Sequence, residues 1–426
     1  MPSTKKNILI VQPNYWDMSA LLWSRSIWRR KYNIFVHGDD RDQSLCLNTV
    51  FFIRDAVRRF KRKGIVGVVS SGDFPGCIAA AAIAAELGLP APKPETVLLC
   101  SDKYYSRLAQ REVVPEATPT FSLIDREDLL KNQLRVEFPI FIKPVKSWFS
   151  VLARRVENIE ELTAFLAQPT VKRFKSKYLY PFDRLMKTYT QYKSKRGHFL
   201  AEQIMEGSQV TIEGFAFHGT VEIISIVDSV MYPDTISFQR FEYPSSLSED
   251  VQDVMKSITK KVIRHIGFDN GLFNIEMFYN PETGLIQIIE INPRMVGQFA
   301  DLMEKVDGTN TYEILLALCI GEKPIVRKAK GKFRVAASFA LRSFEDKRVV
   351  RVPNERQVGK VKKLFPGTTV HMFFEAGEKL SDYEHEDDLQ SYCYAAINMG
   401  AADRNSLLAA FGEVQKHLVF SFDSAD

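Results

Sequence analysis

Cysteine is scarce and unpatterned in this chain: Cys46, Cys77, Cys100, Cys319 and Cys393 make an odd total with no CxxC pair. That argues against a disulfide framework and against a cysteine-based zinc site, and fits a reducing cytoplasm. Long apolar runs are missing too. The longest, residues 77–85, falls far short of the ~20 needed to span a bilayer, and the run behind Lys5 and Lys6 ends at Val11, too short for a secretory signal. A soluble, cytoplasmic protein with no membrane partner is expected. Charge of one sign hardly dominates: 57 lysines and arginines stand against 52 aspartates and glutamates, a net charge of +5 that gives no reason by itself to expect nucleic acid or membrane. No GxGxxG occurs, so a dinucleotide is not indicated, and neither an internal repeat nor a low-complexity tract is present.

What is there is an ordinary globular composition, 45% hydrophobic over 426 residues, enough for two or three domains. From residue 7 to about 90 the pattern alternates: strands at 8–12, 33–36 and 65–70, helices at 19–30, 49–63 and 76–87. Such βαβαβα alternation predicts a parallel sheet with helices on both faces, and places Ser71 and Asp73, just after the third strand, at a cleft. Pro92 and Pro94 mark a connection. Strand-like runs follow at 139–145 and 198–205, then alternating residues at 211–240 and a helix at 248–266. After Pro324 the strands at 333–341, 349–352 and 370–374 and a helix at 406–417 read as a separate α+β unit.

Between the first two of these runs lies a segment, 172–196, that interleaves Lys172, Arg173, Lys175, Lys177, Arg184, Lys187, Lys193, Lys195 and Arg196 with Phe174, Tyr178, Tyr180, Phe182, Tyr189 and Tyr192. Cations alternating with rings can bind single-stranded nucleic acid through phosphates and stacking. The plainer reading is a helical excursion whose rings pack beneath it and whose charges face water, so nucleic acid is not the expected partner.

The most informative element is a hairpin. Residues 273–279 run into the turn Asn280-Pro-Glu-Thr-Gly284, and residues 285–292 return and end in Pro293-Arg294. Pairing Tyr279 with Leu285 across the turn sets Glu276 opposite Ile288, with Glu290 one diagonal step away on the same face. Asn274 and Asn292 share that parity, as do Phe278, Ile286 and Ile288. Two carboxylates held together in a partly dry site repel, so one is protonated or a cation sits between them. Oxygen ligands with no Cys or His nearby favour magnesium over zinc.

Alone, such a hairpin would suit many phosphoryl-transfer enzymes. Two further segments narrow the choice. Phe141-Ile-Lys-Pro144 ends a strand with Lys143, a point charge for phosphate oxygens, followed by a turn holding Ser147 and Ser150 that can add donors. Leu200-Ala-Glu-Gln-Ile-Met-Glu-Gly207 ends another strand with an extended segment able to read a purine edge, with Ile204 and Met205 to cover its face.

In this order, strand-KP, EQIMEG, then two glutamates and Asn-Pro-Arg, the chain resembles the ATP-grasp superfamily, in particular its carboxylate-amine ligases, which include D-alanine ligases, dipeptide ligases and carnosine synthase. The resemblance implies an α/β fold: a Rossmann-like pre-ATP-grasp parallel-sheet domain over 1–98, a two-lobed α+β ATP-grasp domain over 99–325 with its small lobe at about 139–207, and a small α+β C-terminal accessory domain over 326–426. By resemblance, Lys103 and Lys143 bind phosphates, with Ser147 and Ser150 beside them. Glu202, Gln203, Ile204 and Met205 match the adenine-contacting hinge, and Gln209 takes the ribose position. Glu276, Glu290 and Asn292 match the magnesium ligands, and Arg294 steadies the acyl phosphate or the carboxylate being activated. The implied cofactors are ATP and two magnesium ions, with manganese able to substitute. The implied partners are a small carboxylate and an amine, joined through an acyl phosphate with release of ADP and phosphate, and a homodimer is expected. Three departures stand out: residues 146–150 contain no glycine, Gln209 replaces a common acidic residue, and Asn274 sits where some relatives place a basic residue. Glu213 is a candidate base on strand parity alone. Two other outcomes of the same scaffold are a bicarbonate-using carboxylase of purine or biotin type and a non-catalytic protein holding an anionic partner.

Overall fold

A computed structural model describes residues 5–23, 26–39, 48–124, 134–147, 151–192, 198–382 and 390–424. The chain begins with three parallel strands, β1 (Lys6–Val11), β2 (Tyr32–His37) and β3 (Ile65–Val69), in the order β2-β1-β3. Both faces of β1 are buried, which is why it reads as an unbroken apolar run. Leu9 and Val11 pack with Phe52 and Ile53 of the helix Thr49–Phe60 and with the alanine-rich helix Gly76–Glu86. Ile8 and Ile10 pack the other way, against Leu21, Trp28 and the helix Thr311–Cys319 from far along the chain.

Two antiparallel sheets follow. The smaller has the order β4-β7-β5-β6, formed by β4 (Phe121–Ile124), β5 (Ile140–Pro144), β6 (Arg154–Val156) and β7 (Phe199–Gln203). The larger is built on β8 (Ser208–Phe217), β9 (Thr220–Met231), β10 (Phe238–Tyr243), β11 (Gly271–Tyr279) and β12 (Ile286–Asn292). Residues 204–207 are the short link between the sheets. Gly207 has φ +122°, and a Cβ there would lie 2.1 Å from the Tyr279 carbonyl oxygen, so glycine alone lets the link pass the hairpin this closely.

The C-terminal strands correct one expectation. Rather than forming a sheet of their own, β13 (Val335–Ser343) pairs antiparallel with β10, and β16 (Tyr392–Ala401) and β15 (Thr369–Met372) continue beyond it. The result is one eight-stranded sheet, β12-β11-β8-β9-β10-β13-β16-β15. Only β14 (Lys347–Arg351) and β17 (Ser421–Ser424) stand apart as a two-stranded pair. The edge of β10 is the reason: its residues 240–243 offer a ladder that β13 completes, which removes an exposed edge.

In the segment 172–192 three of the rings turn inward, while Tyr180 is exposed. Phe174, Tyr178 and Phe182 are buried, with Phe174 against Tyr178 at 5.1 Å and Phe182 edge-on to Phe74 at 5.4 Å, whereas Lys172, Arg173, Arg184 and Lys187 are exposed. These three rings are used in core packing rather than presented for base stacking; Lys193, Lys195 and Arg196 lie outside the described residues. Among the described residues no helix is long and apolar enough to cross a membrane, and Cys77, Cys100, Cys319 and Cys393 are buried free thiols.

Candidate active site

The hairpin carries its acids as expected, but in a different register. Tyr279 pairs with Ile286, and a bulge at Ile289 then brings Glu276 directly opposite Glu290 and Asn274 opposite Asn292. The Tyr279–Ile286 register at the turn also corrects the face of the apolar partners: Ile288 pairs with Met277, and both, with Ile275, Ile286 and Ile291, are buried in the largest core cluster. The polar face therefore holds Glu276, Glu290, Asn274 and Asn292, and it continues onto β8, where Gln209, Thr211 and Glu213 pair with Phe278, Glu276 and Asn274.

On this face Gln209 donates to Glu276 Oε2 at 2.9 Å. Asn292 Nδ2 donates to Glu276 Oε1 at 3.2 Å, to Glu290 Oε1 at 3.4 Å and to Asn274 Oδ1 at 3.1 Å, and Asn274 Nδ2 donates to the Arg294 carbonyl at 3.0 Å. Burial, then the charge of Glu290, pushes the Glu276 pKa up to about 8. Burial pushes Glu290 the same way, but Lys103 and Lys143 outweigh it and hold Glu290 low. Such an unequal carboxylate pair is what a divalent cation relieves, and two carboxylates with one amide leave room for the water and phosphate oxygens magnesium keeps. The donor set fits magnesium, with Asn292 contributing once a half-turn of its amide presents Oδ1.

Two lysines border the pair. Lys103 opens the helix Lys103–Val113, whose N-terminus is capped by the Asp102 side chain, and its Nζ lies 3.0 Å from Glu290 Oε2 and 3.4 Å from the Ser147 carbonyl. Lys143, on β5, lies 2.6 Å from Glu202 Oε2 and 3.3 Å from the carbonyl of the bulged Ile289. Burial pushes the Lys143 pKa down while Glu202 pulls it up. Arg107 was not singled out from sequence. It is 2% exposed, donates from Nε to Glu202 Oε1 at 2.5 Å and from Nη2 to the same Ile289 carbonyl at 2.8 Å. Its signal, an arginine one helical turn after Lys103, was present but has no meaning until the bulge is known.

The side chain of Glu202 is thus fully buried and engaged by two cations, so it does not line the link beside it. Gln203 Oε1 accepts from Thr120 N at 2.9 Å on β4's side. Ile204 and Met205 are half-buried on the link itself. Ser147 is buried next to Lys103, and Ser150 lies outside the described residues. Arg294 reaches back to the first sheet, with Nη2 3.0 Å from Asp73 Oδ2, while Lys146 Nζ lies 2.7 Å from Asp73 Oδ1. Glu213 accepts from Val296 N at 2.7 Å, and burial pushes its pKa up to about 7. Lys103, Ser147, Gln209, Glu276, Glu290 and Asn292 are joined by direct contacts, and the Lys143–Glu202 pair adjoins them through the Ile289 carbonyl; Gln203, Ile204 and Met205 flank them along the chain.

Residues 136–302, which span β5 through the hairpin and Arg294, match the family described as ATP-grasp domain. Over those residues the chain is similar to an ATP-grasp domain. Its fold is similar to solved structures along its whole length. An L-amino acid ligase from Bacillus licheniformis aligns with TM-score 0.75 at 17% identity, covering 99% of each chain. A phosphoribosylglycinamide synthetase from Anaerococcus prevotii aligns with TM-score 0.69 at 16% identity, covering 99% of this chain and 100% of that one. In sequence, a carbamoyl phosphate synthase large chain from Neisseria meningitidis is 32% identical over 76 residues, 18% of this chain and 7% of that relative. The match therefore spans under a tenth of the relative's length, and the shared part is a stretch of the chain rather than a whole enzyme.

Proposed function

We propose that this chain is an ATP-dependent carboxylate-amine ligase that forms an amide through an acyl phosphate and releases ADP and phosphate. The observation that carries the reading is the level Glu276–Glu290 pair with Lys103 on one carboxylate and Lys143 beside it on the bulged Ile289 carbonyl. Cations and a magnesium-type donor set within one contact network suit a triphosphate better than any single anion. The names of the aligned structures, an amino acid ligase and a glycinamide synthetase, support amide-forming chemistry.

On this reading Lys103 and Lys143 hold phosphate oxygens, and the link at 204–207, with Ile204 and Met205, receives the purine. The buried Glu202 serves by setting Lys143 rather than by touching adenine. Arg294 holds the carboxylate being activated. Magnesium on Glu276, Glu290 and Asn292 would supply charge neutralisation at the phosphate oxygens. The substrate carboxylate oxygen attacks the γ-phosphorus and ADP departs; an amine then attacks the acyl carbon, forming the C–N bond as phosphate leaves and the amine's proton passes to a base. Stabilisation of shifting negative charge by fixed cations needs no protein nucleophile. We assign 1–98 and 99–325 as the units that frame and perform this chemistry, with 326–426 extending the sheet of the second through β13.

A second reading is a bicarbonate-using carboxylase of purine or biotin type, supported by the fold's likeness to a biotin carboxylase domain solved with MgADP and bicarbonate. The test is ADP release with MgATP across pools of amino acids, small carboxylic acids and amines, with and without bicarbonate and with Glu290→Gln as control. Turnover needing both a carboxylate and an amine supports the ligase. Turnover needing bicarbonate moves the assignment to the second reading.

A further inference from the structure

Asp73 belongs to the first parallel sheet, in the loop after β3, yet its two oxygens are divided between cations from two other parts of the chain. Oδ1 lies 2.7 Å from Lys146 Nζ, two residues beyond β5, and Oδ2 lies 3.0 Å from Arg294 Nη2, two residues beyond β12. The carboxylate is itself anchored: Phe74 N donates to Oδ1 at 2.6 Å, and the buried Phe74 ring packs against Phe182. Lys146 continues into Ser147, whose carbonyl receives Lys103, and Lys103 in turn pairs with Glu290. A continuous chain of contacts thus runs from the first sheet to the acidic hairpin.

Arg294 has one edge fixed by this arrangement. Nη2 goes to Asp73 and Nη1 to the Met295 carbonyl at 3.3 Å, whereas the buried Nε makes no hydrogen bond. An arginine held by one edge keeps its remaining donor at a set angle, which is how a fork-shaped cation is made specific for a planar oxyanion. The triad of two cations and one carboxylate carries a net positive charge, so it invites an anion and not an ammonium group.

We propose that Asp73 is a positioning residue: it sets Lys146 toward the terminal phosphate and Arg294 toward the carboxylate being activated, so that the first sheet completes the transfer site. This rests on the ATP-dependent reading above. Because Asp73 competes with phosphate oxygens for Lys146, removing its charge tightens ground-state binding of a triphosphate while losing the alignment of Lys146 and Arg294 needed for transfer.

The experiment compares wild type with Asp73→Asn, titrating the β,γ-imido analogue of ATP and, separately, ADP in magnesium by calorimetry. In Asp73→Asn the analogue is expected to bind roughly fivefold tighter with ADP unchanged within about twofold, as for loss of one competing charge near the terminal phosphate alone. ADP release in any pool that supports the wild type falls about a hundredfold, and Asp73→Glu recovers part of it. Lys146→Met, which leaves Asp73 its arginine, is expected to weaken the analogue but not ADP. Equal shifts for both nucleotides with a lowered melting temperature, or no shift in any variant, overturn the assignment. Absence of nucleotide binding by wild type refutes the ATP-dependent reading instead, a distinct result.

Discussion

Glu276 stands level with Glu290 across the β11–β12 ladder, and the extra residue that brings them level, Ile289, turns its carbonyl to both Arg107 and Lys143. One irregularity thus builds the acid pair and fixes the cation beside it. Because burial and Glu290 push Glu276 up to about 8, it is largely protonated at neutral pH without a cation. Glu276→Gln is therefore expected to change folding stability by under about 1 kcal/mol at pH 7 while abolishing the heat of magnesium-nucleotide binding. Denaturant melts and calorimetric titrations check the two halves; a stability loss of several kcal/mol would show that Glu276 is an ionised structural anchor instead.

Arg107, Glu202 and Lys143 form a buried chain of charges with no solvent to absorb a change. Arg107→Met leaves Glu202 with one cation and the Ile289 carbonyl with a weaker donor. Breaking one partner of such a network costs about 3–5 kcal/mol. The expected result is a large drop in the denaturant midpoint, with Glu202→Gln lowering it further than a surface substitution such as Glu157→Gln, whose partner Arg155 is exposed. Equal midpoints for all three would mean that the network contributes nothing net.

Much of this was legible in the chain. The β1 and β3 runs were apolar at Ile8–Val11 and Ile65–Val69, so alternation with helices told of a parallel sheet, and the acidic hairpin announced itself by its turn and parity. The bulge at Ile289 was not legible, because a single extra residue leaves no mark in an Ile-Ile pair yet shifts the partners of everything beyond it from the turn. The join between β10 and β13 was equally hidden: nearly a hundred residues separate them, and edge-to-edge pairing carries no composition signal. Arg107 and the division of Asp73 between Lys146 and Arg294 depend on elements brought together only by the tertiary fold.

Gly207 gives a direct test of the link between the sheets. Its φ of +122° strains any side chain, and the Tyr279 carbonyl occupies the place of a Cβ. Gly207→Ala must shift backbone on one side or the other, at a cost of about 1–3 kcal/mol. Since Ile204 and Met205 ride on the same link, weaker ATP binding should accompany the loss, whereas Gly219→Ala, whose Cβ would meet nothing within 4 Å, tests the effect of positive φ alone. Equal effects of the two changes would place the cost in φ and not in the approach to Tyr279.

Glu213 should leave a pH signature. It is fully buried on β8, with Oε1 accepting from Val296 N and Oε2 without a hydrogen bond, and burial raises its pKa to about 7 despite Val296 and Arg294. Below about pH 4.5 the carboxyl is protonated in folded and unfolded chains alike and adds no pH dependence. As pH rises from there toward 7 the unfolded chain ionises first, so stability falls; above 7 both states are ionised and the penalty stays level. From the size of the shift this penalty is on the order of 3 kcal/mol. Glu213→Gln keeps an acceptor for Val296 N and cannot ionise, so its stability relative to wild type should climb between pH 4.5 and 7 and then run flat. Denaturant unfolding of both proteins at half-unit pH steps gives that difference directly, and a difference that is constant throughout would mean that Glu213 carries its charge at all these pH values.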